Sequence, residues 1–234
     1  MLSQKTLTYS PEILSIYRLS GEIVTYSIFV IALWSIVNLA KFKNAYRWLL
    51  LNICISACVE IISVVLVKFG VNNTQPINYF YLIQEVSLIG FFYFNSIKRK
   101  KITNIIRYFL PIFIVFIIFN AFWKEGYWET PGKTALFEAI IFTVLGLILH
   151  RQIIVDTKVS NLSRNPLFWF NIYIIVSYSA NILFFLIINN ALKLSDDLSM
   201  ILYIIKNSIG LMCYVFWLVG TNRLNKFSSH QPHL

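Results

Sequence analysis

Charge is what this sequence has least of. Only 13% of its 234 residues are Asp, Glu, Lys or Arg, against about a quarter in an ordinary soluble domain. That is too little to wet a water-facing surface. Cysteine is also scarce, with three residues at Cys54, Cys58 and Cys213. A spacing of four puts Cys54 and Cys58 on one helix face, but no His or further Cys completes a metal set, so packing is their expected role. Asp is missing from every long apolar run. The three His residues stand at a segment end (His150) or in the tail (His230 and His233). Asp pairs, Ser/His sets and His–metal clusters are the usual equipment of membrane-embedded enzymes. Without them no catalytic residue, metal or cofactor is expected. No connecting segment is long enough to fold alone, so any chemistry belongs among the helices or to a partner protein.

What is present is apolar. The chain is 58% hydrophobic with a mean hydropathy of +0.68. A hydrocarbon core of roughly 30 Å needs about 20 apolar residues in a helix. Seven runs approach that length, at residues 23–40, 48–69, 77–97, 105–123, 135–149, 167–188 and 198–219. The expected fold is all-α, a polytopic bundle of seven transmembrane helices. Residues 1–22 form a polar N-terminal segment, 23–219 the bundle and 220–234 a short tail. The N-terminal segment contains Pro11 and no apolar core, so the first helix is expected to act as its own insertion signal.

Orientation follows from the basic residues of alternate loops. One side carries Lys41, Lys43, Arg47, Lys98, Arg99, Lys100, Lys101, Arg151, Lys158, Arg164, Arg223 and Lys226. The other carries Lys5, Arg18, Lys68, Lys124, Lys133 and Lys193. The two-to-one bias predicts the N-terminus outside and the C-terminus in the cytoplasm; a bacterial inner membrane is the expected location. The net charge of +10 then serves anionic inner-leaflet lipid rather than nucleic acid.

Ionisable residues inside the runs are the strongest functional signal, because charge at bilayer depth is costly unless paired or hydrated. Glu60, Glu85, Glu138 and Lys206 stand out. With the predicted directions they lie about 5 to 14 Å below the outer boundary, at 1.5 Å per residue. Asn181 falls in the same layer. Helical spacing extends the faces to Asn52, Ser56 and Ser63, to Tyr173 and Ser177, to Ser199, Tyr203, Gly210 and Cys213, and to Tyr81 and Gln84. Three roles fit. Lys206 pairs with Glu60 or Glu85 and the layer holds helices together, or it lines an outward-open pocket for a small polar ligand, or it conducts an ion or proton. Pro111 is expected to kink the fourth helix.

Lys206 in the seventh helix and Glu85 in the third resemble the microbial rhodopsins in architecture. That family's Asp four residues before the lysine is Leu202 here, and its sixth-helix Trp-x-x-Tyr-Pro is missing. A weak likeness between the third and seventh helices (Tyr81–Gly90 and Tyr203–Gly210) is similar to the parallel repeat of the PQ-loop and sugar transporters, whose Pro-Gln dipeptide does not occur. The segments 79–94, 165–170, 179–181 and 203–210 together resemble the small seven-helix membrane proteins of bacteria with AT-rich genomes. That resemblance implies the class and no activity. The expected function is a ligand-sensing or receptor-like module acting through a protein partner, with a small-solute or proton-coupled transporter and a structural subunit as alternatives. The expected ligand-binding or ion-pair residues are Glu60, Glu85, Lys206, Asn181, Tyr81, Gln84, Tyr203 and Glu138.

Overall fold

A computed structural model describes residues 10–38, 42–71, 73–123, 132–156 and 159–229. Lys5, Lys41, Lys124, Lys158, Trp128, His230 and His233, and the end of the first expected span, lie outside the described residues. The described residues form seven α-helices: α1 (Pro11–Val37), α2 (Tyr46–Lys68), α3 (Gln75–Ser96), α4 (Lys100–Trp123), α5 (Gly132–Asp156), α6 (Pro166–Leu194) and α7 (Asp196–Ser229). A short 3-10 turn, Val159–Arg164, precedes α6.

Six of these helices, all but α3, are long and apolar enough to cross a membrane. A backbone in hydrocarbon must satisfy its own hydrogen bonds, and helices do so within a single segment. Their outward faces fit that setting. Large apolar side chains such as Val37, Phe69 and Val115 stand well exposed, a surface that water would penalise by about 25 cal/mol per Å². The six helices support a lipid bilayer as the surroundings of this chain.

Helix α3 is less apolar because Gln75, Asn78, Gln84 and Glu85 interrupt its run. Its position explains why it tolerates them. Val86, Phe92 and Tyr93 have no exposed surface, so α3 meets protein where the other helices meet their surroundings.

Packing runs from α1 to α2, α2 to α3, α3 to α5, α5 to α6, α6 to α7 and α7 back to α1. Helix α4 stands outside this ring against α3. Gly90 permits the close approach, since a Cβ there would collide with Leu110. Helix α4 also reaches α5 by packing the Phe113 and Phe116 rings, tilted, against Phe137, and Asn120 donates to Thr134 at 3.1 Å. Pro111 lies inside α4 without ending it.

Helix ends are set by local chemistry. Helix α1 starts on Pro11, whose missing N–H costs nothing in a first turn, and so begins well before the apolar run at residue 23. The Ser10 N–H donates to Asp197 at 3.1 Å, fixing the start of α1 to the start of α7. Helix α6 also starts on a proline, and Asn165 caps it by accepting from the Leu167 N–H at 3.0 Å. The α3–α4 and α5–α6 connections lie at one end of the bundle, called here the basic end after Lys98 to Lys101 and Arg151. The starts of α1, α3, α5 and α7 lie at the opposite end.

Candidate functional site

Several buried polar side chains towards the basic end are matched in pairs, while the Ser96 hydroxyl and one His150 nitrogen there have no partner. Gln84 of α3 donates to Asn52 of α2 at 2.6 Å. Tyr93 of α3 donates to Asn171 of α6 at 3.4 Å, and the Asn171 amide donates to the Gly146 carbonyl of α5 at 3.0 Å. Gly146 brings α5 close enough for this, because a Cβ there would meet Ile175 and the Tyr93 hydroxyl. The Trp217 indole N–H donates to Ser35 at 2.9 Å. Around that indole, Phe42, Tyr46, Phe170 and Tyr173 form one aromatic block. Trp217 and Phe170 are completely buried.

Towards the opposite end the pattern changes. Helix α3 presents Glu85 to the interior of the ring, where the hydroxyls of Tyr81 and Tyr178 face its carboxylate. Lys206 of α7 lies within electrostatic range of Glu85. Glu138 of α5, Tyr173 of α6 and Tyr214 of α7 share that field. Helices α3, α5, α6 and α7 thus converge on one carboxylate. Glu60 of α2 stands near Tyr214 and accepts from the Thr25 hydroxyl of α1 at 2.8 Å.

Not all of these groups are satisfied. One Glu138 oxygen is sealed from solvent without a hydrogen bond, while Tyr178 and Ser56 lie near Glu85 and Tyr81 but outside strict bonding geometry. Lys206 has no carboxylate within ion-pair distance among the described residues. Its ammonium instead sits over the Phe184 ring, 4.6 Å from the centroid, with Phe185 at 5.7 Å. Lys206 thus makes no ion pair at contact distance with Glu60 or Glu85, one of the three roles the sequence left open. The physical reason is local: α6 offers an aromatic face that attracts a cation through its quadrupole, and Glu60 is engaged by Thr25.

The cluster is partly open. Glu85, Tyr81, Tyr173, Lys206 and Tyr214 all keep partial exposure although protein surrounds them. Gly210 lies one turn from Lys206 and one from Tyr214 on the same face of α7. A Cβ added there would meet no atom within 4 Å.

Of the residues expected from sequence, Glu60, Glu85, Glu138, Lys206 and Tyr81 come together. Gln84 points instead to the α2–α3 interface. Tyr203 lies between Tyr17 of α1 and Phe184 of α6, and Asn181 is half-buried on α6. Sequence reasoning passed over Tyr178, Tyr214 and Thr25. Tyr214 carried a usable signal, since Lys206, Gly210 and Tyr214 recur every four residues. Tyr178 is off the Tyr173–Ser177–Asn181 spacing and carried none.

No protein-family model, curated protein or solved structure matches the chain. A functional reading therefore rests on the site itself.

Proposed function

We propose that this chain is a seven-span protein of the bacterial inner membrane, with α3 as the seventh span and the basic end in the cytoplasm. The cluster around Glu85 is its binding site for a small polar ligand. The observation that carries this reading is a set of ionisable groups from five helices gathered in the interior around Glu85, with one Glu138 oxygen unbonded and open space at Gly210. A buried unsatisfied polar atom costs about 1–3 kcal/mol, and a ligand that bonds several of them recovers that cost on binding. Carboxylates, one ammonium and tyrosine hydroxyls supply both acceptors and donors. The aromatic block around Trp217 closes the space towards the basic end, which favours binding over passage. A receptor-like module that passes the bound state to a partner protein follows from that closure.

The test is a thermal-shift screen of small amines, carboxylates and zwitterions on the purified chain in lipid nanodiscs. A stabilising solute should lose its effect in Glu85→Gln and in Gly210→Leu, which fills the space without removing a polar group. Solute counterflow in proteoliposomes, abolished by Lys206→Ala, would make the chain a transporter. Unchanged solute shifts in both variants would remove the site.

A further inference from the structure

A cavity lies at the basic end, apart from the Glu85 cluster. It holds about 510 Å³ and is lined by Lys98, Arg99 and Ile102 from the α3–α4 corner and by Ile148, Arg151, Gln152, Val155 and Asp156 from α5. That volume lies in the range of small-molecule sites, roughly 300–1,000 Å³.

Its walls are fixed by side chain to backbone bonds. The Gln152 amide donates to the Ser96 carbonyl at 3.1 Å, and its oxygen accepts from the Lys98 N–H at 2.9 Å. One side chain thereby clamps the α3–α4 corner to α5, so the cleft is shaped before anything enters it. Its charge is unbalanced. Lys98 pairs with Asp156 at 2.8 Å, while Arg99 and Arg151 have no carboxylate partner among the described residues. Both are exposed at the mouth. Ile102, Ile148 and Val155 give the remaining wall an apolar face.

We propose that this cleft is a specific site for one anionic phospholipid, with the headgroup phosphate between Arg99 and Arg151 and an acyl chain along Ile102, Ile148 and Val155. Arginine suits the task because its planar fork binds two phosphate oxygens at once. The combination of phosphate-binding and apolar walls selects a lipid over a free anion. Paired with Asp156, Lys98 holds the rim and is not the main phosphate ligand. The site is independent of the Glu85 cluster.

Native mass spectrometry of the full chain, purified in neutral detergent with added phosphatidylglycerol or phosphatidylcholine, tests this. Retained phosphatidylglycerol should exceed phosphatidylcholine in the wild type. Arg99→Gln with Arg151→Gln should weaken retention on the order of tenfold or more, because charge-assisted contacts to the phosphate are lost. Lys43→Gln with Arg47→Gln removes the same charge elsewhere at the basic end and should change retention less than about twofold, since it leaves the cleft intact and neutral detergent has no anionic surface potential. Equal loss in both double variants would overturn the site in favour of general charge attraction. Displacement of the lipid by inorganic phosphate at matched concentration would overturn the lipid in favour of a free oxyanion. Should the Gln pair fail to fold, Arg99→Lys with Arg151→Lys retains charge but loses the fork. Undiminished retention in that variant would overturn the arginine assignment.

Discussion

The two ends of this bundle differ in how their helix-bridging polar groups are matched. Towards the basic end, Asn52 meets Gln84, Asn171 meets both Tyr93 and the Gly146 carbonyl, and Trp217 meets Ser35, although Ser96 and His150 keep an atom without a partner. Towards the other end, Asn120 meets Thr134, but a Glu138 oxygen has no partner and Lys206 rests on a ring rather than a carboxylate. Amides bridge helices at one end and ionisable groups gather at the other. A matched pair joins two helices and specifies their register. An unmatched group stores a cost that only a ligand, water or a rearrangement removes.

The sharpest way to break that contrast is to damage the matched end. Trp217 is completely buried among Phe42, Phe170 and Tyr173. Trp217→Ala should cost about 3–5 kcal/mol through lost contact and the cavity left behind. Reversible unfolding in mixed micelles measures it. A loss under about 1 kcal/mol, far below that range, would show that the aromatic block does not close the interior.

The next effect is smaller. Asn171→Leu removes two hydrogen bonds linking α3, α5 and α6. Bonds between membrane helices average about 0.6 kcal/mol each, so a loss of roughly 1 kcal/mol is expected. Asn52→Leu, which removes one such link, should cost about half as much. A reversal of that order would place the main bracing between α2 and α3 instead.

Much of this arrangement was written in the sequence. Apolar runs near bilayer length gave the helices, and the cost of intramembrane charge singled out Glu60, Glu85, Glu138 and Lys206 before any contact was known. Partner choice was not legible, because it depends on how helices rotate against each other. Gln84 and Glu85 are adjacent in the chain but sit 100° apart around α3, which sends one to Asn52 and the other to the interior. Helix periodicity could not say which neighbour each would meet. Lys206 illustrates the same limit, since Phe184 lies on a helix whose facing direction no composition reveals.

The smallest expected effect is also the most diagnostic. Glu138 is buried on α5 with one oxygen unsatisfied, so Glu138→Gln keeps its shape and removes no matched bond. Its stability should change by less than about 0.5 kcal/mol, the range of substitutions that break no specific feature, while any ligand that uses the Glu85 cluster should bind more weakly. Unfolding and solute-dependent thermal shifts on the same preparation separate the two readouts. A loss of stability above about 1 kcal/mol, as expected for breaking a satisfied buried bond, would mean that Glu138 braces the bundle as Asn171 does. The contrast between amides that brace helices and ionisable groups that do not would then fail at the most buried carboxylate.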